Sequence, residues 1–259
     1  MRRISKETII ILEKTVADRQ KVRPGDVVQV DPKTAHSLIA MKKARKYTVQ
    51  KSVELPLISV IIPFYNDYSF INDCLKSITE QTYKNIEVII VNDGSEDEPE
   101  IFYPCRYISY KTNKGAPVAR NIGANTSKGD YLFFCDADVT LHKDCLNTLY
   151  SNINGYSWAY CNFYVGDELH EYERFSFDVL KKRNLCSTMS LIKKSDFPNF
   201  DHELIRFQDW DLFLNMAHQG KIGVHVPQVL FTARDRVGIT QGTISNTDAK
   251  NKIASKWGL

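Results

Sequence analysis

Along the middle of the chain, runs that are apolar on both faces alternate with segments whose apolar residues recur at helical spacing. LISVIIPFYN, IEVIIVNDGS and YLFFCDAD are unbroken apolar stretches ending in polar residues, the pattern of buried parallel strands that present side chains at their carboxyl ends. Between the first two, Phe70, Ile71, Cys74, Leu75 and Ile78 predict a helix over 69–80. A weaker strand, RYISY, leads into NKGAPVARNIGANTSKG, whose Ala-rich middle is helical and whose Lys114-Gly115 suits a turn. Four strands separated by helical segments predict an α/β domain with a Rossmann-like, mostly parallel sheet flanked by helices. In such sheets ligands bind at the carboxyl ends of the strands. Asn66-Asp67, Asp93 and the pair Asp136 and Asp138 fall there.

The second half has a different pattern. A helix over 143–152 is followed by WAYCNFYVG and LCSTMSLIKK, which read as strands, and by QDWDLFLNMAHQG, which reads as a helix closed by Gly220. IGVHVP and VLFTARDRV are expected as two short strands. The tail from Gly238 is polar, with periodicity only over 253–257, and is expected to be a loop that orders on ligand binding or a frayed terminus.

Before the first strong strand, residues 1–22 suggest a short amphipathic helix, and VRPGDVVQVD a turn at Pro24-Gly25 followed by a strand. TAHSLIAMKKARKY suggests a second helix, packing Leu38, Ile39 and Met41 and leaving Lys42, Lys43, Arg45 and Lys46 in water. The expected organisation is a small N-terminal extension over 1–52, a main domain over 53–237 and a tail over 238–259. Within the main domain a division is expected between residues 57–140 and 141–237.

Charge sharpens this division. The net charge is +3, yet residues 1–51 carry 13 Lys and Arg against 5 Asp and Glu, which leaves the remainder at −5. A solvated basic face accounts for the N-terminal charge, with peripheral contact to an anionic membrane as the functional alternative. Specific nucleic-acid binding is not expected. No apolar run approaches the ~20 residues that span a bilayer, and the N-terminal run is too short and charge-flanked for a signal peptide, so a cytoplasmic protein is expected. The six cysteines lack paired metal-ligand spacing and read as reduced core residues.

Two carboxylates at i, i+2 after a buried strand, Asp136 and Asp138, suit either turn chemistry or a metal site. Their context extends the second reading. ISVIIPFYN, EQTYKNIEVIIVNDGS, NKGAPVARNIGANTSKGDYLFFCDAD and FQDWDLFL, in that order and spacing, resemble the family 2 inverting glycosyltransferases of GT-A fold over roughly residues 57–235. The resemblance implies a nucleotide-sugar donor, a UDP-sugar first, a Mn²⁺ or Mg²⁺ ion on the diphosphate, and transfer with inversion to a glycan or lipid-linked acceptor in polysaccharide or glycoconjugate synthesis. Carried over by position, Pro63 and Tyr65 would line the base and Asp93 would accept from its ring N–H. Arg120 would lie near the base or diphosphate, Asp136 would contact the ribose or a metal-bound water, and Asp138 would be the metal ligand. Asp209 would be the catalytic base, kept ionised by the dipole of the helix it begins; a helix N-cap is its plain structural alternative. Asp211, two residues on, points about 200° away on a helix. Trp210 would shape the acceptor pocket or fill the core. Arg234 or Arg236 would meet the diphosphate, where the family often has His or Arg.

Two other classes fit parts of the pattern. A nucleotidyltransferase shares a similar sheet, but PFYND lacks the Gly-rich phosphate loop it needs. A degenerate transferase fold kept as a nucleotide-sugar or carbohydrate-binding module would keep the strand ends without turnover.

Overall fold

The computed structural model describes residues 7–11, 15–17, 20–24, 26–46, 55–235 and 245–259. The chain divides into two compact units, Met1–Glu54 and Leu55–Leu259.

The first unit contains the strands Glu7–Ile11 (β1), Thr15–Ala17 (β2), Gln20–Val22 (β3) and Val27–Val30 (β4), the helix Pro32–Ala40 (α1) and the strand Ala44–Lys46 (β5). The strands order as β4-β1-β5, all antiparallel, with β2 and β3 forming a separate pair. Where residues of the helix expected over 1–22 are described, they form strands instead; 1–6, 12–14 and 18–19 lie outside the described residues. Ile9 and Ile11 are both buried, a period of two that suits the pleat, and a run of β-branched isoleucines loses less side-chain freedom in a strand than in a helix. Asp31 caps α1 by accepting the amide N–H groups of Lys33 and Thr34, each at 3.0 Å. The helix stops at Ala40, short of the predicted basic stretch, because Lys42 takes a left-handed conformation (φ 58°) and β5 follows. Met41 lies past the helix and is 66% exposed, so it does not pack as expected.

The second unit begins with Ile58–Phe64 (β6), Ile71–Thr79 (α2), Ile86–Asp93 (β7), Arg106–Tyr110 (β8), Ala116–Thr126 (α3) and Tyr131–Phe134 (β9). There follow Val139–Leu141 (β10), Cys145–Asn152 (α4), Trp158–Val165 (β11), Glu168–His170 (β12), Phe177–Leu180 (α5), Leu191–Lys193 (β13), Gln208–His218 (α6), Gly223–Ala233 (β14) and Asn246–Trp257 (α7). Among the described residues, nine strands form one sheet ordered β10-β14-β11-β13-β9-β6-β7-β8, with β12 beside β11. The strands β9, β6, β7 and β8 pair in parallel, as the doubly apolar runs predict. At β13 the direction reverses, since it is antiparallel to both β9 and β11. This places the carboxyl ends of β6, β7 and β9 along one edge, next to the segment leading into α6.

The apolar face of α2, Ile71, Cys74, Leu75 and Ile78, is buried on the sheet. The other side takes α3, which approaches closely: a Cβ at Gly123 would fall 2.3 Å from Ile61 Cγ2, so only glycine allows this packing. All six cysteines are free thiols.

Three expectations in the second half change. Of LCSTMSLIKK only Leu191–Lys193 is a strand; residues 185–190 are buried in an irregular path that turns where Ser190 Oγ donates to the Ser187 carbonyl. The two short strands expected around Pro227 are one, β14, whose register with β11 shifts there, since proline cannot donate to the ladder. The tail ends in the helix α7, with Ser245 as its N-cap and Gly258 (φ 65°) just past its last turn. Residues 236–244, Arg236 among them, lie outside the described residues.

Candidate functional site

A cleft of roughly 830 Å³ opens at the carboxyl ends of β6, β7 and β9. Pro63, Tyr65, Asp93, Arg120, Asp136, Asp138 and Arg234 all line it, so the fold brings together seven of the side chains singled out from the sequence.

β7 delivers Asp93, which is 3% exposed, and Gly94 (φ 76°) turns the chain away behind it. The two Asp93 oxygens accept the amide N–H groups of Lys114 and Gly115, each at 2.7 Å. Asp93 thereby fixes the loop that enters α3, while its neighbour Asn92 accepts the Ser95 amide N–H. The turn chemistry thus belongs to Asn92, and the acid at the floor of the cleft anchors the wall opposite.

After β9 the Asp-Ala-Asp segment makes a turn in which the Val139 amide N–H donates to the Asp136 carbonyl at 3.2 Å. The turn aims both carboxylates at the cleft, so the two readings of this pair describe one arrangement. Arg120 rises from α3 beside it. Far from being a solvated helix charge, its side chain is 8% exposed, and Nη2 donates to Asp136 Oδ1 at 2.7 Å. Its Nη1 donates to Gln208 Oε1 at 2.8 Å, and its guanidinium lies 5.5 Å from the Phe200 ring centroid. One arginine therefore links the strand end carrying the acid pair to the first residue of α6.

Asp209 stands one residue beyond Gln208 and does not line the cleft. The residue that caps α6 is Phe207, held in the left-handed region (φ 57°), so Asp209 is not the N-cap. Its Oδ1 accepts the Trp210 amide N–H and its Oδ2 accepts from Asn184 Nδ2, each at 2.8 Å. Burial pushes its carboxyl above the ordinary aspartate value, against the pull of those hydrogen bonds and of the Arg120 charge. The expected dipole-stabilised carboxylate is thus corrected: desolvation outweighs a helix terminus at this position.

Trp210 is buried, and its indole N–H donates to the Leu180 carbonyl at 2.6 Å, which places it in the core away from the cleft. Asp211 is also buried and is bound by α7, with Trp257 Nε1 at 2.8 Å and Lys256 Nζ at 2.8 Å from its Oδ1. Arg234, at the end of β14, donates to Asp73 Oδ2 at 2.9 Å and packs over Phe70. His225 is a strand residue bonded to Asn162.

Sequence reasoning missed the wall formed by His202, Leu204, Ile205 and Gln208. No periodicity marks 202–205, which is irregular, and Gln208 carries no sequence signal beyond standing before Asp209.

Among the described residues no cluster of three or more acidic, His or Cys side chains could hold a metal by itself. Two carboxylates in an open cleft nevertheless suit a hard divalent cation whose remaining ligands are substrate phosphates and water. No described helix is long and apolar enough to cross a membrane.

Residues 59–184 match the family model for Glycosyl transferase family 2. The glycosyltransferase GlyA of Streptococcus pneumoniae is 40% identical over 121 residues, which is 43% of this chain but only 17% of GlyA. An uncharacterized glycosyltransferase of Haemophilus influenzae is 28% identical over 226 residues, covering 78% of this chain and 86% of its own. Among solved structures, S. aureus TarS 1–349 in complex with UDP-GlcNAc superposes with a TM-score of 0.63 at 18% identity, over 77% of this chain and 66% of that one. The mannosyltransferase PcManGT of Pyrobaculum calidifontis, in complex with GDP-Man and Mn²⁺, gives 0.56 at 19% identity over 72% and 59%. The fold is thus GT-A-like, and residues 59–184, with the relatives they match, are similar to glycosyltransferase family 2.

Proposed function

We propose that the chain transfers a sugar from a nucleotide-sugar donor to an acceptor hydroxyl with inversion at the anomeric carbon, in a divalent-metal-dependent reaction. The observation that carries this reading is the cleft itself, where Asp93, Asp136 and Asp138 converge from two parallel strand ends and Arg120 joins Asp136 to the start of α6. Neighbours of the same fold captured with UDP-GlcNAc and with GDP-Man support a nucleotide-sugar donor. A uridine diphosphate donor is the first choice and a guanosine one the alternative.

In this reading Pro63 and Tyr65 line the base and Asp93 accepts from its ring N–H, while its bonds to the Lys114 and Gly115 amides keep the carboxylate rigid. Asp136, oriented by Arg120, meets the ribose or a metal-bound water. Asp138 would hold Mn²⁺ or Mg²⁺, and Arg234 or Arg236 would meet the diphosphate. The ion would supply Lewis-acid neutralisation of the leaving diphosphate. Asp209 takes the proton from the acceptor hydroxyl as its oxygen bonds to the anomeric carbon and the bond to the diphosphate breaks. Its raised pKa suits that task, since a stronger base accepts a proton more readily at neutral pH. Acceptors are a glycan or a lipid-linked glycan, with the basic first unit as the contact to an anionic membrane face.

A second reading, a donor-binding module without turnover, draws on the burial of Asp209 behind the cleft wall. Asp209→Asn separates the two. The enzyme reading requires a fall in nucleoside diphosphate release on the order of 100-fold or more with donor binding retained. Equal release from both proteins would remove Asp209 as the base.

A further inference from the structure

The wall of the cleft missed by the sequence is irregular, yet it is pinned from behind. Lys256 Nζ reaches Asp201 Oδ2 at 2.7 Å and Asp211 Oδ1 at 2.8 Å, bridging the two ends of the segment 201–211. Trp257 Nε1 donates to the same Asp211 oxygen at 2.8 Å, and its ring stacks on His218 of α6 with centroids 4.8 Å apart. One turn earlier, Lys252 Nζ donates to the Glu203 carbonyl at 2.9 Å, and Ile253 is fully buried in the same cluster as Trp210 and Phe213. Every cleft-lining residue of this wall, His202, Leu204, Ile205 and Gln208, lies between the pinned points, as does Asp209.

Two features call for such a restraint. Phe207 holds a left-handed conformation that a bulky side chain keeps only when its surroundings enforce it. Asp211 is 2% exposed, and a carboxylate so placed requires donors on it. The donors come from α7.

We propose that Lys256 and Trp257 are positioning residues: through Asp201 and Asp211 they set the place of the wall 201–209, and with it Gln208 and Asp209, relative to the bound donor. The role in transfer rests on the glycosyltransferase reading above; the role in holding the wall does not. Asp93 and Asp138 lie on other elements and the wall reaches Asp136 only through the Arg120–Gln208 bond, so the helix acts more on the step at the acceptor than on nucleotide binding. A shift of about 1 Å in a reacting group can cost on the order of 100-fold in rate, so a modest loosening of this wall is enough.

The test compares the full chain with Lys256→Met and Lys256→Arg by three measurements: amide hydrogen exchange, affinity for UDP and GDP with Mn²⁺, and diphosphate release from UDP- and GDP-sugars. The proposal expects faster exchange confined to 201–211 in Lys256→Met, release slowed about tenfold or more, a smaller change in affinity for whichever diphosphate the native chain binds, and recovery of exchange and release in Lys256→Arg, which keeps two donors on the two acids. Native exchange at 201–211 in Lys256→Met would overturn it, as would native release with the wall loosened, or a Lys256→Arg variant as impaired as Lys256→Met. Absence of release from the native chain with every donor would instead count against the glycosyltransferase reading, while exchange still decides whether α7 holds the wall.

Discussion

At the scale of single residues, the chain places acids of similar type in unlike surroundings. Asp209 is desolvated and its carboxyl lies above the ordinary value. Since the folded-state pKa is raised, the fold favours the protonated acid: that contribution is full below the unfolded carboxyl value near 4 and is lost as pH rises through the raised folded value. At neutral pH Asp209→Asn should therefore melt no lower than the native protein, which a thermal scan checks, even as release collapses. The pH profile of kcat/KM should show an acid limb centred above about 4, because only the carboxylate can accept the proton. Gly94 makes a different kind of demand. Its φ of 76° is strained for any side chain, and a Cβ would sit 2.7 Å from the Asn113 amide nitrogen. Gly94→Ala should cost about 1–3 kcal/mol in urea unfolding and weaken nucleotide binding by displacing Asp93 from the 113–115 loop. The residue types of the site were legible in the sequence, since strands that are apolar on both faces leave their polar termini as the only plausible ligands. The Arg120 bridge was not, because it joins positions 88 residues apart in sequence, Arg120 and Gln208.

At the scale of elements, β6, β7 and β9 were readable because burial on two faces demands continuous apolar runs. The elements that failed to announce themselves are held by something other than an apolar stripe. α7 buries only Ala249 and Ile253, with Trp257 partly buried, and is fastened by Lys256 and Trp257 to an acid on another helix. β13 is three residues long and owes its place to neighbours on both sides. The isoleucines of β1 fit a helical reading as a bare apolar run and are distinguished only by their branching. Asp211→Ala, which removes the acceptor of the Trp257 indole N–H and one of the two acids on Lys256, should destabilise the second unit by about 1–3 kcal/mol, measurable as a lower urea midpoint.

At the scale of the molecule, every residue lining the cleft belongs to the second unit. A fragment spanning 55–259 should therefore fold and bind nucleoside diphosphate as the full chain does, and calorimetry with UDP and GDP checks it. If the basic first unit serves the acceptor or a membrane, the same fragment should lose binding to anionic vesicles while keeping release of diphosphate.

The direct measurement is nucleoside diphosphate release from a panel of UDP-, GDP- and dTDP-sugars with Mn²⁺, run side by side on the native chain and Asp209→Asn. Release from at least one donor by the native chain is expected, abolished by chelation of the metal and lowered on the order of 100-fold or more in the variant. A folded native chain silent toward every donor, or a variant as active as the native chain, would contradict the glycosyltransferase reading.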